Sequence, residues 1–268
     1  MTARAARREF TPEVLAFTVR DRGRDLLRRA FTWRRAHLTI VRTAAAARQH
    51  LGTTLVDAVV VDVGAGGDEA WAAAALARSL PSIPFFTLAS PRAADAAVLG
   101  RAAALDVTDV LMEGVDDGSL RDLVVPHAFT VRFAAALQEA PPQLGLDAPL
   151  QRRAWETIVA AGGRPVRTDA IAQAVGVTRE HLSRAFAAEG APNLKRVIDL
   201  VRLVSAAELA KNPGYDLTDV ATILDFASPS HLASTAERVA GIRAASLTLL
   251  RTRDILARFA QGRSRSRH

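Results

Sequence analysis

The stretch Val166–Phe186, VRTDAIAQAVGVTREHLSRAF, decides how the second half of the chain is read. Ile171, Ala172 and Val175 recur at helical spacing on one face of a short first helix. Gly176 follows, and glycine ends a helix readily because it adopts positive φ without a Cβ clash. Thr178 is placed to cap a second helix by accepting a backbone N–H. Val177 and Leu182 occupy the positions of a hydrophobic staple. With Leu182, Ala185 and Phe186 inward, the outward residues are Arg179, Glu180, Ser183 and Arg184, on a rod that fits a DNA major groove. This is helix-turn-helix patterning, although an ordinary helical hairpin carries the same face periodicity.

A second copy begins at Leu217, LTDVATILDFASPSHLASTAE. Val220, Ala221 and Leu224 repeat the inward face, and Asp225-Phe226 marks the turn. Ser228 is the cap, with Pro229 at the first helical position, where a missing N–H costs nothing. Between the copies, Leu194–Lys211 reads as one amphipathic helix of about 25 Å. That length suits a spacer between two recognition helices that read one face of DNA about 34 Å apart.

Gln151–Arg251 thus resembles the DNA-binding domain of the AraC/XylS family of bacterial transcription regulators. The resemblance rests on IAQAVGVTREHLSRAF, on VRLVSAAELA with Arg202, Leu203 and Ala206 in the family's Arg-Leu…Ala pattern, and on VATILDFASPSHL. It implies double-stranded DNA as partner. Thr178 and the helix start would meet a phosphate. Arg179 or Arg184 would meet guanine edges or phosphates, and Glu180 and Ser183 would meet bases. The second copy departs from the family at four positions. Leu232, Ser234 and Ala236 stand where members carry a Phe-x-Arg-x-Phe run, and Asp225 stands where they carry glycine. The second lobe is therefore expected mainly to hold the DNA backbone, with Ser230, His231 and Ser234 available for contact.

The first half alternates apolar runs with helical segments. Strands are expected at Val14–Val19, His37–Val41, Val56–Val63, Ile83–Leu88 and Asp109–Met112. Helices are expected at Arg24–Trp33, Ala44–Leu51, Asp68–Ser79, Ala93–Ala104 and Ser119–Gln138. Such alternation implies a parallel sheet covered on both faces. The expected fold is thus α/β followed by all-α: a flavodoxin-like five-stranded parallel sheet domain, then a double helix-turn-helix domain.

Glu13–Leu137 also resembles a response-regulator receiver, carried by VDAVVVDV at Val56–Val63, with Asp57 and Asp62 at the family's spacing. The resemblance places Asp62 at the phosphoacceptor position, and it implies an acid pair, a Thr or Ser and a Lys-Pro around it. Thr18-Val19, Ala89 (with Ser90 one residue late) and Glu113-Gly114 stand there instead. Phosphoryl transfer needs a metal and a cation to neutralise developing charge, so Asp62 is read as vestigial and the domain as a pseudo-receiver. By analogy with receivers, a homodimer is expected.

Composition narrows the remaining classes. A chain of 268 residues suggests about two domains. Apolar residues make up 49%, enough for real cores, and there is no cysteine, which excludes disulfides and zinc fingers. The net charge of +7, supplied almost wholly by arginine, favours a polyanionic partner. No apolar run approaches the ~20 residues of a membrane span. The start MTARAARREF lacks the apolar core of a signal peptide, so a cytoplasmic protein without a membrane is expected. No histidine pair has metal-ligand spacing and no catalytic constellation is visible; neither an enzyme nor a cofactor is expected. Gly64–Gly67 lacks the lysine of a phosphate loop.

The expected boundaries are a flexible start to Pro12, a receiver-like domain over 13–138 and a proline-rich linker over 139–150. A DNA-binding domain over 151–258 and a basic tail over 259–268 complete the chain. Two other readings stay open. In one, the first domain takes a small-molecule or protein signal, with a small ligand at the carboxyl ends of its strands near Asp62. In the other, the degraded second copy makes the chain an interaction co-regulator with weakened DNA specificity.

Overall fold

The computed structural model describes residues 11–33, 36–64, 67–90, 96–187 and 192–265. The chain divides into two compact units. One comprises Thr11–Arg132 with Asn212–Asp219; the other comprises Phe133–Lys211 and the chain from Val220 onward.

The first unit is a five-stranded parallel sheet in the order β2-β1-β3-β4-β5. Its strands are β1 (Glu13–Phe17), β2 (His37–Val41), β3 (Ala58–Asp62), β4 (Phe85–Ala89) and β5 (Asp109–Met112). Between them lie α1 (Asp21–Ala30), α2 (Ala44–Thr53), α3 (Asp68–Ala75) and α4 (Ala96–Ala103). Every residue of β3 and β4 is buried, as expected of central strands covered on both faces. On one face, Val14, Ala16, Val60, Phe86, Leu88 and Leu111 form a core with Leu26 and Leu27 of α1. The architecture is flavodoxin-like, as expected from the alternating pattern. Because β1 pairs with both β2 and β3, the chain order reverses there. The carboxyl ends of β1 and β3 flank the resulting crevice.

The helix expected over Ser119–Gln138 is broken. It forms α5 (Leu120–Val124), a 3₁₀ turn at Val125–His127 and α6 (Phe129–Ala136). Pro126 cannot donate to a helical ladder, and Ala128 leaves the helical region at φ −49°, ψ 140°. Asp57, fully buried, organises the restart. Its Oδ1 accepts the Thr130 N–H at 3.0 Å and its Oδ2 the Glu13 N–H at 2.9 Å. One carboxylate thus fixes the start of β1 and satisfies an orphan donor at a helix N-terminus.

The second unit is helical. The expected linker holds a short helix, α7 (Ala140–Gln143), and α8 (Pro149–Ala160) begins before the expected boundary. Then come α9 (Thr168–Val175), α10 (Arg179–Ala187), α11 (Leu194–Ala210), α12 (Leu217–Ile223, its first three residues counted in the first unit) and α13 (Pro229–Ala240). Ser205, buried in α11, donates to the Gly162 carbonyl at 2.7 Å. A Cβ at Gly163 would collide with the same side chain. The expected tail needs correction: α14 (Thr252–Arg265) runs through it, and Ile255, Leu256 and Phe259 are buried. The Arg196 guanidinium covers the Phe259 ring at 5.2 Å. Residues 266–268 lie outside the described residues.

Candidate nucleic-acid interface

The two helix-turn-helix copies close their turns by the same hydrogen bonds. After α9, the Val177 N–H reaches the Ala172 carbonyl at 3.0 Å and the Gly176 N–H reaches Gln173 at 3.2 Å, with Gly176 left-handed at φ 74°. After α12, the Phe226 N–H reaches Ala221 at 2.8 Å and the Asp225 N–H reaches Thr222 at 3.0 Å. Both are Schellman closures. In the second, Asp225 occupies the left-handed position at φ 53°, the one non-glycine residue with positive φ among the described residues. Aspartate tolerates this region better than most residues, so the missing glycine leaves the turn intact.

The caps lie where the sequence put them. Thr178 Oγ1 accepts the His181 N–H at 3.2 Å, and Ser228 Oγ accepts the His231 N–H at 3.1 Å. Along α10, Leu182 and Phe186 are buried, while Arg179, Glu180, His181, Ser183 and Arg184 are exposed, as is Thr178. Arg179 Nε lies 3.7 Å from Asp169, which Arg167 also contacts at 3.3 Å. Arg184 has no ion-pair partner among the described residues. On α13, Ser230, His231 and Ser234 are exposed. The Ser234 hydroxyl donates to the His231 carbonyl at 3.0 Å, which leaves it an acceptor for outside donors. Arg238 is tied to the buried Asp199 at 3.0 Å. The first copy therefore offers two arginines outward, and the second offers hydroxyls and an imidazole.

A second group of charges lies in the sheet unit, at the crevice between β1 and β3. Asp62, at the end of β3, is fully buried. Arg20 donates to it from Nε at 2.9 Å and from Nη2 at 2.6 Å. Thr18 Oγ1 donates at 2.7 Å and the Gly64 N–H at 3.1 Å. The same Arg20 Nη2 lies 2.8 Å from Glu113 Oε2, close enough for an ion pair though not aligned as a hydrogen bond. Arg22 contacts the other Glu113 oxygen. Burial disfavours the Arg20 charge, but its hydrogen bonds to Asp62 and the charges of Asp62 and Glu113 outweigh it and hold its pKa above the ordinary value. Close packing seals the carboxylate: a Cβ at Gly23 would collide with Asp62 Oδ2, and one at Gly64 would lie 2.8 Å from Arg20 Nη2. Thr18 and Glu113 were legible as departures from the receiver pattern. Arg20 was not, because nothing local marks it as the partner of a residue 42 positions on. Gly64–Gly67 falls partly outside the described residues.

Among the described residues no group of His, Asp and Glu could hold a metal ion, and no helix is long and apolar enough to cross a membrane. A family model described as "Helix-turn-helix domain" matches residues 171–248, from within α9 through the second copy. That part of the chain thus carries a helix-turn-helix domain. No curated protein matches the sequence. Among solved structures, full-length FixJ from B. japonicum aligns with 85% of this chain and 96% of its own, at 16% identity and a TM-score of 0.39.

Proposed function

We propose that the protein is a sequence-specific, DNA-binding transcription regulator whose first recognition helix, α10, enters a major groove. The observation that carries this reading is the exposed row Arg179, Glu180, Ser183 and Arg184 on a helix fixed from behind by Leu182 and Phe186. Arg184 or Arg179 reads guanine or holds phosphate, and Glu180 and Ser183 read neighbouring edges. Thr178 and the start of α10 sit on a phosphate. The second lobe, through Ser230, His231 and Ser234, chiefly holds the backbone.

The sheet domain serves as a contact module, pairing two copies of the chain or receiving a protein signal, without phosphorylation of Asp62. The closed Arg20–Asp62–Glu113 group supports this, since the carboxylate is sealed and already bound to a cation. The same closure weighs against a small ligand at Asp62. The test is selection of genomic fragments by the purified chain at about 150 mM salt, where non-specific attraction is weakened. One enriched motif, with half-sites spaced by helical turns, is expected. Binding that merely decays with salt would transfer the function to a protein partner and favour the co-regulator reading. Light scattering at micromolar concentration tests the dimer, and incubation with acetyl phosphate tests Asp62, with no incorporation expected.

A further inference from the structure

Arg202 lies on α11, the connector between the two helix-turn-helix copies, and is half-buried. From there it reaches the turn of the second copy. Its Nη2 donates to the Leu224 carbonyl at 2.9 Å and to the Asp225 carbonyl at 3.0 Å. These carbonyls follow the last residue of α12, where no further helical N–H answers them. The guanidinium also lies over the Phe226 ring, 4.0 Å from its centroid. That ring meets the imidazole of His231 in a T-shaped pair, with centroids 5.6 Å apart and planes at 72°. His231 stands exposed on the first turn of α13.

We infer that Arg202 is a positioning residue for the second recognition helix: it clamps the α12–α13 turn and, through Phe226, sets where His231 points. The chain of contacts runs from connector to carbonyls to ring to imidazole, with no gap. It also explains how the second copy manages without the family's glycine. The left-handed Asp225 carries a conformational cost that glycine avoids, and the clamp fastens the carbonyls on either side of that strain. Burial lowers the Arg202 pKa, while the carboxylates of Asp199 and Asp225 act in the opposite direction; the side chain stays cationic at neutral pH. The inference rests on the DNA-binding reading only for its consequence, that bases or phosphates at the second half-site are met by a helix whose pose depends on a residue that does not touch DNA.

The test uses the full chain with Arg202→Met and with Arg202→Met/Asp225→Gly. The double variant removes the strained conformer, so it folds even if the single variant does not. Two readouts are taken. The first is footprinting on the selected fragment: wild type protects two adjacent segments, whereas both variants keep the first, lose the second and bind about tenfold or more weaker. The second needs no DNA. The side-chain resonance of His231, assigned with His231→Asn, is displaced by the Phe226 ring in wild type and returns toward the exposed-histidine position in both variants. A double variant that recovers the second footprint and the wild-type His231 resonance would overturn the inference, because Arg202 would then only offset strain at Asp225. If wild type selects no motif, the DNA-binding reading fails and the resonance alone decides the positioning role.

Discussion

Replacing Arg20 by alanine strips the buried Asp62 of its only cation among the described residues. Three of the contacts it accepts vanish: Nε to both carboxylate oxygens at 2.9 and 3.2 Å, and Nη2 at 2.6 Å. The Thr18 hydroxyl and the Gly64 N–H remain, two neutral donors for a full charge. Glu113, 5% exposed, also loses its inner partner and keeps Arg22. Breaking a buried ion pair on one side costs about 3–5 kcal/mol. The Arg20 side chain keeps 24% exposure, so screening moves the expectation to the lower end, about 3 kcal/mol. Arg22→Ala removes a side chain that is 70% exposed and should cost no more than about 1 kcal/mol. Asp62→Asn leaves Arg20 facing Glu113 and falls between the two. Arg20→Met with Asp62→Asn should be milder than the sum of the single changes, with a coupling of about 1–3 kcal/mol. The assay is hydrogen exchange of the β1 and β3 amides across a urea series, which reads this unit directly. If Arg20→Ala and Arg22→Ala cost the same, or the pair is additive, the closed carboxylate site does not hold the sheet as argued.

Other expectations follow from the same geometry. Gly163→Ala must displace Ser205 and adopt φ 92° with a Cβ; a loss of about 3 kcal/mol or more in thermal or urea unfolding is expected. Ser228→Ala removes the acceptor of the His231 N–H and should cost about 1 kcal/mol, read as faster exchange at the start of α13. Glu13 is half-buried, which opposes its charge, but the nearby His50 imidazole, the Thr39 hydroxyl bond and the charges of His50 and His37 hold its pKa below the ordinary 4.5. Its stabilisation is therefore present above that value and lost as pH falls through the lower, folded value. Glu13→Gln should flatten the acid limb of stability against pH, and an unchanged limb would exclude Glu13 as a contributor. Arg184→Ala should cost about 1–3 kcal/mol of discrimination at a single base position if it reads guanine. A uniform loss across sequences with a shallower salt dependence would make it a phosphate contact instead.

What was legible in the sequence is what local patterning controls. The apolar runs around Val59–Val61 and Phe85–Phe86 announced central strands because burial on both faces demands them. Both caps, Thr178 and Ser228, followed from side chains that compete for a neighbouring backbone N–H. The helix expected over Ser119–Gln138 breaks at Pro126, where the missing backbone donor interrupts the ladder. Phe259 opens the expected basic tail, and only the faces it packs against reveal its burial. The pairings Arg20–Asp62, Arg20–Glu113 and Arg202–Asp225 join distant parts of the chain, and residue type alone does not select them. The left-handed Asp225 was legible as a departure, but not as one that the chain accommodates.

The closed carboxylate site has a consequence for how this domain can change. Arg20 follows β1 and Glu113 follows β5, and the two meet beside one buried aspartate. Neither charge can be inverted alone. Arg20→Asp would crowd three acids around one remaining arginine, and Glu113→Lys would set three cations about one buried aspartate. Each single step passes through an unbalanced interior. Sequences drifting under selection for stability should hold Arg20 and Glu113 together or lose them together.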